Sequence, residues 1–183
     1  MRAELTDVVL HSSMDRYGDL GIHAVLDVRR RFARADLERA AEAVVRAFPV
    51  MGRRYEPGLV RDRWRPVGGP IADAVELVDA PADLEAETER RTRAFDPTRG
   101  RPFRVAQLGR GAGARLVLGV SHLAVDGAGV AAVGHVFVAA LCGVAPAAPV
   151  DARRSLASTL EGLRPWHLPS LARGVASTLA FPV

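Results

Sequence analysis

Apolar and polar positions alternate along this chain in short runs, several of them bounded by glycine or proline. Residues 22–28, Ile-His-Ala-Val-Leu-Asp-Val, follow a turn at Gly18 and Gly21 and predict a strand. Leu37, Ala41, Val44, Val45 and Phe48 recur at helical spacing, with Asp36 placed as N-cap and Pro49 as the stop. Two short strands, Arg53–Glu56 and Arg61–Pro66, flank Pro57-Gly58, with Trp64 as their aromatic anchor. Val75–Val78 predicts a further strand. Residues 82–94 predict a polar helix in which Glu87 faces Arg91 and Glu89 faces Arg93. After the turn-rich connector Phe95–Pro102, Phe103–Leu108 and Arg115–Ser121 form a hairpin around Gly109–Gly113. An apolar helix runs from Gly127 to Leu141, and Gly143 ends it. Residues 144–151 are rich in proline and alanine and predict a linker. Beyond it, Leu156, Leu160 and Leu163, then Leu171, Val175 and Leu179, mark two helical stripes that face a core. The order of elements implies an α+β fold, a two-layer sandwich with a mixed or mostly antiparallel sheet flanked by helices.

Composition narrows the function classes. A chain of 183 residues with 49% apolar content is long enough for one domain with a core, and too apolar for a disordered chain. Its one cysteine, Cys142, permits neither an internal disulfide nor a cysteine-built metal site, which fits a cytoplasmic protein. All 25 basic residues are arginine, the net charge is +4, and the aromatics, at 5%, are too few for base stacking. No nucleic-acid partner is expected. The densest basic cluster, Arg29-Arg30-Arg31 with Arg34, reads as a solvated strand end, with an anion site for the phosphates of an acyl carrier as the alternative. Glu4 and Asp7 interrupt any apolar leader, so no signal peptide is expected. From Gly127 to Val150 no residue is charged, but Gly129, Gly134, His135, Gly143, Pro146 and Pro149 favour a buried helix and a broken loop over a membrane span.

The chemistry concentrates in Gly119-Val-Ser-His-Leu-Ala-Val-Asp-Gly-Ala-Gly129. His122 stands at a predicted strand end, a rigid mount with apolar flanks, four residues before Asp126-Gly127, and the Asp126 carboxylate is expected to fix the geometry of the ring. Imidazole is the side chain suited to general-base work near neutral pH. The pattern His-x-x-x-Asp-Gly alone is also met by a satisfied histidine at a strand end, with Asp126 as the N-cap of the next helix. Ser121 is no nucleophile for His122, because neighbours on a strand point to opposite faces. His135 reads as a core histidine and Cys142 as buried packing. His11, His23 and His167 show no metal spacing relative to His122, so no metal is expected.

The context adds a resemblance. Ser121-His122-Leu123-Ala124-Val125-Asp126-Gly127 resembles the His-His-x-x-x-Asp-Gly motif of nonribosomal peptide synthetase condensation domains and related acyltransferases of the chloramphenicol-acetyltransferase-like superfamily. Phe95-Asp96-Pro97-Thr98-Arg99-Gly100-Arg101-Pro102-Phe103-Arg104 resembles the Phe-Asp-x-x-x-Gly-x-Pro-x-Arg segment that precedes the motif hairpin there. The stretch ending Phe48-Pro49-Val50-Met51-Gly52-Arg53-Arg54-Tyr55 resembles the family's helix and following strand. Arg154-Ser155-Leu156 onward resembles the crossover to a second lobe. The resemblance implies a single chloramphenicol-acetyltransferase-like lobe over residues 1–148, with 149–183 leading toward a second lobe that the sequence does not contain. It implies His122 as the catalytic base and Asp126 as a structural residue paired with an arginine, either Arg54 or Arg53. It also implies Gly127 as a glycine needed where the chain packs tightly, and Ser121 as loop support in place of the first histidine. Gly52 stands where the family often has arginine. No tightly bound cofactor is implied; the donor would be acyl-CoA or a phosphopantetheine-linked acyl group, and the acceptor a small amine or alcohol. The implied partners are an acyl carrier protein and either a second-lobe polypeptide or a second copy of the chain. Two functions follow: an acyltransferase completed by that second lobe, or a non-catalytic binding or assembly module that kept the fold.

Overall fold

Apolar side chains on both faces of the strand Ala114–Ser121 place it at the centre of a sheet. The computed structural model describes residues 1–3, 7–8, 10–12, 14, 21–93, 96–111 and 113–145, all within one compact unit, Met1–Ala152. The elements are β1 (Gly21–Val28), α1 (Arg34–Ala47), β2 (Arg53–Glu56), β3 (Arg63–Pro66), β4 (Val75–Val78), α2 (Leu84–Arg91), β5 (Phe103–Leu108), β6 (Ala114–Ser121) and α3 (Gly127–Leu141). Four strands form a mixed sheet in the order β1-β6-β5-β4. β1 and β5 lie antiparallel to β6, whereas β4 runs parallel to β5. β2 and β3 form a separate antiparallel ribbon in which Tyr55 sits opposite Trp64. The α+β fold with a mixed sheet is the one the pattern predicts. The segment 149–183, with its leucine stripes and His167, lies outside the described residues.

The two-residue period of β6 divides the packing. Leu116, Leu118 and Val120 join Phe103 and Val105 of β5 in the main core, and α1 and α3 close over that face with Leu37, Ala41, Val44, Val133 and Phe137. Phe137 meets Phe103 edge-on, with ring centroids 6.2 Å apart. On the other face Val117, Ala106 and Leu108 form a smaller cluster beneath Leu84 of α2.

Helix boundaries differ from expectation where local polar chemistry outweighs periodicity. Asp36 is not the N-cap of α1. The helix begins earlier, at Arg34 behind Ala33, and Asp36 pairs with Arg39 at 2.8 Å within the first turns. α2 is shorter than 82–94: Asp83 caps it, accepting from the amides of Glu85 (2.8 Å) and Ala86 (3.0 Å). α3 keeps its expected limits. After it, the Gly143 amide bonds Ala140 O (3.2 Å) and the Val144 amide bonds Ala139 O (2.9 Å), a closure that uses Gly143 at φ +71°.

Two side chains of this region sit differently from the sequence reading. Val133, Phe137 and Leu141 point inward at i, i+4 and i+8. His135, two residues after Val133, therefore lies on the outer face; it is exposed, with Nδ1 3.1 Å from Ala131 O, and is not a core histidine. Cys142 is likewise exposed rather than packed, one step round from Leu141. Among the described residues, no helix is long and apolar enough to cross a membrane.

Candidate active site

The end of β6 is fixed by backbone hydrogen bonds before any catalytic side chain is considered. The Ser121 amide donates to Pro102 O at 3.0 Å, which ties the strand to the connector 96–102. The chain then turns. The Ala124 amide donates to Ser121 O (2.9 Å), and the Leu123 amide donates to Ser121 Oγ (3.3 Å). Leu123 and Ala124 are buried in the main core and anchor the turn. Ser121 is thus a buried backbone brace. His122 stands between these anchors, half-buried. Its Nδ1 is enclosed and has no hydrogen-bond partner among the described residues. Buried polar atoms are normally paired; the enclosed His122 Nδ1 is one of a few such atoms, with Arg101 Nε another, and it is the one at the strand end that carries the motif.

The carboxylate of Asp126 does the capping work that the residue pattern allowed, not the arginine pairing that the resemblance implies. It is the N-cap of α3, where Oδ1 accepts from the Gly129 amide at 2.7 Å. Arg54 lies 3.7 Å from Glu56, and Arg53 donates to Trp64 O at 3.2 Å; among the described residues neither is in ion-pair contact with Asp126. The reason is local: both arginines belong to β2, whose own neighbours satisfy them, and the helix amide claims the carboxylate. Asp126 also makes no hydrogen bond to His122 among the described residues, so the cap fixes the helix and not the ring.

The glycine requirement also moves. A Cβ at Gly127 would meet no atom within 4 Å, so tight packing does not demand glycine there. At Gly129 a Cβ would lie 2.7 Å from Val125 Cβ and 3.2 Å from Asp126 Oδ1, which would push directly on the cap.

The meeting of three residues, each named in the sequence reading for another reason, escaped it. Gly119, near the centre of β6, is paired with His23 on one side and Arg104 on the other. A Cβ at Gly119 would lie 3.1 Å from Arg104 Nε and 3.2 Å from His23 Cδ2. Arg104 crosses that gap and donates from Nη2 to Arg91 O and Arg93 O, each at 2.7 Å, serving carbonyls at the end of α2. The available signal was a glycine inside an apolar strand, which marks close approach of a neighbouring group.

The Arg29–Arg31 cluster lies at the end of β1, and β1 is antiparallel to β6, so it sits at the opposite end of the sheet from His122. Arg31 pairs with Asp79 at 2.6 Å, Arg110 joins the same carboxylate at 2.7 Å, and Arg34 donates to Val75 O at 3.1 Å. The Arg110 guanidinium holds the Asp79 carboxyl below its ordinary range. A separate cavity of about 280 Å³ is lined by Glu42, Val45, Arg46, Gly52, Val67, Ile71 and Arg101, and His122 is not among these residues. Among the described residues no group of three or more His, Cys, Asp or Glu side chains could hold a metal ion.

No protein-family profile matches the sequence, and no curated protein is similar enough in sequence to count as a relative. Solved structures do match. The starter condensation domain of the rhizomide synthetase RzmA aligns with 97% of this chain and 47% of its own length, at 16% identity and a TM-score of 0.61. A variant of that domain in complex with C8-CoA aligns over 86% of this chain and 39% of its own, at 18% identity and a TM-score of 0.63. The X-domain from teicoplanin biosynthesis, in complex with OxyB, aligns over 81% of this chain and 35% of its own, at 21% identity and a TM-score of 0.63. The chain has the fold of one lobe of these domains and spans less than half of their length.

Proposed function

We propose that this chain is one lobe of an acyltransferase of the condensation-domain type, with His122 as its general base. The donor is an acyl thioester on coenzyme A or on the phosphopantetheine arm of a carrier protein. The acceptor is an amine or an alcohol. His122 takes a proton from the acceptor as its nitrogen or oxygen attacks the thioester carbonyl. The new C–N or C–O bond forms, the C–S bond breaks, and the proton leaves with the thiolate. General-base catalysis of this kind contributes about 10²–10⁴-fold. Ser121, Asp126 and Gly127 serve the turn and the helix that follow the base, and Arg53 and Arg54 brace the β2–β3 ribbon. Residues 1–148 form the lobe, and 149–183 lead toward the second.

The observation that carries this reading is the ring of His122: half-buried at the end of the central strand, in a fold shared with condensation domains, with an enclosed nitrogen that no neighbour satisfies. A lone lobe leaves the reacting groups in water, where electrostatic stabilisation weakens. The reading therefore requires a second lobe to close over His122. The RzmA complex with C8-CoA supports a coenzyme A thioester as donor.

A non-catalytic binding or assembly module is the second reading. The fit to the X-domain in its complex with OxyB favours it, as does the engagement of Asp126 by the Gly129 amide, with no hydrogen bond to His122 among the described residues. The two readings separate in one experiment. Product formation from an acyl-CoA and an amine is followed while the mass of the assembly in solution is measured. Transfer confined to the assembled species supports the enzyme; an assembled species that transfers nothing refutes it.

A further inference from the structure

The tip of the β2–β3 ribbon shows two apolar side chains to water with nothing beside them: Leu59 is 108% exposed and Val60 91%. A floppy loop would need no explanation, but this turn is pinned. The Gly58 amide donates to Asp62 Oδ1 at 2.9 Å, and the Tyr55 hydroxyl bonds the other oxygen of the same carboxylate. A Cβ at Gly58 would lie 2.3 Å from Arg61 O, so the chain closes tightly on itself there. Tyr55 and Trp64, at the base, are fully buried. Trp64 Nε1 donates to the buried Asp7 at 2.9 Å, and the Ala3 amide donates to Asp62 O at 3.2 Å.

Charge surrounds the knob. Residues 53–66 hold five arginines against Glu56 and Asp62, a surplus of three in a chain whose total is +4. Glu56 is shared by Arg54 and Arg65, and Asp62 is engaged inside the turn. Arg61 and Arg63 are exposed and have no carboxylate partner among the described residues. An apolar knob ringed by guanidinium groups that have no carboxylate partner among the described residues is complementary to an apolar hollow ringed by carboxylates.

We propose that this tip, Leu59 and Val60 with Arg61 and Arg63, is the docking point for the protein that carries the acyl thioester, through an acidic face with an apolar hollow. The inference rests on the acyltransfer reading and gives that reading its partner surface. A lipid surface would also attract cations and apolar groups, but it demands no fixed shape. Pre-organising the turn lowers the cost of binding only where a shaped socket must be matched. The position also suits delivery. The Tyr55 amide donates to Pro97 O at 2.8 Å, and the Ser121 amide donates to Pro102 O. One connector thus touches both the ribbon and the strand that carries His122, at points five residues apart, roughly 17 Å at full extension.

The test titrates the whole chain with a purified, phosphopantetheine-loaded acyl carrier protein by calorimetry. Two variants are compared with wild type: Leu59→Ser with Val60→Ser, and Arg61→Glu with Arg63→Glu. Because all four side chains are exposed, both variants keep the wild-type melting temperature, which is checked first. The expected result is binding by wild type that weakens with salt and falls about tenfold or more in each variant. Failure of wild type to bind the carrier, equal binding by the variants, or Leu59-dependent binding to vesicles of phosphatidylglycerol and phosphatidylcholine overturns the proposal. Transfer from acyl-CoA, which needs no docking protein, is measured on the same variants. Its retention beside lost carrier binding supports the docking role, and failure of the acyltransfer reading itself shows separately, as no transfer by the assembled wild type.

Discussion

Strand β6 ends in two different ways. At its start, Arg115 is saturated: it donates to Asp27 at 3.1 Å, to Glu85 at 2.6 Å and to Thr88 Oγ1 at 3.4 Å. At its finish, His122 is held by well-paired backbone on both sides while its own Nδ1 has no partner. One strand with one packing environment therefore consolidates one end and leaves the other end chemically open. A side chain that serves only the fold acquires partners, as Arg115 has done. A ring gripped by its neighbours yet unsatisfied in itself is the arrangement expected of a group that meets substrate.

That contrast can be broken from the helix side. Phe137→Ala removes the ring that packs against Phe103 beneath α3, and is expected to cost about 3–5 kcal/mol. Hydrogen exchange should rise through 121–130 while the Arg115 end stays protected; uniform loosening of both ends would remove the distinction. Gly129→Ala forces a methyl to within 2.7 Å of Val125 Cβ and against the Asp126 carboxylate. A loss of about 1–3 kcal/mol is expected in chemical denaturation. Asp126→Ala deletes the cap and should cost about 1 kcal/mol, with Asp126→Asn restoring most of it. If the aspartate instead oriented the ring, Asp126→Asn would lose activity while keeping stability.

The smallest effect tests the closed end. The Arg115 guanidinium holds the Glu85 carboxyl below its ordinary range. A depressed folded-state value means the stabilisation is complete above the ordinary carboxyl range and is lost as pH falls through the depressed value. Arg115→Met should leave stability nearly unchanged in acid, where Glu85 is protonated, and lower it slightly near neutrality. An equal loss at both pH values would show that packing and not charge is involved. At alkaline pH the sign reverses for Tyr55, whose hydroxyl burial and the Asp62 carboxylate push upward. Its contribution is present below the ordinary tyrosine value and declines above it, so Tyr55→Phe should flatten the alkaline limb of the stability curve.

The sequence made β1, β4, the β5–β6 hairpin and α3 legible, because each is an apolar-rich run bounded by glycine, charge or a turn. Such patterning failed where a short polar side chain decides a boundary, as at Asp83, or where a candidate cap is passed over, as at Asp36. The position of His122 at a strand end was legible for the same reason as the strand. The work of Asp126 was legible only as two alternatives, an ion-pair partner or the N-cap of the next helix, and the 2.7 Å contact to the Gly129 amide is that of the cap. Arg104 and His23 were invisible because their meeting at Gly119 depends on the register of three strands.

The most direct test of the open end is the split between activity and stability in His122→Ala. The variant deletes an enclosed nitrogen, Nδ1, that has no hydrogen-bond partner among the described residues. Acyl transfer by the completed assembly should fall by about 10²–10⁴-fold while the melting temperature stays within a few degrees of wild type. Transfer that is unchanged in a variant whose melting temperature has dropped would show that the ring serves the fold and not the reaction.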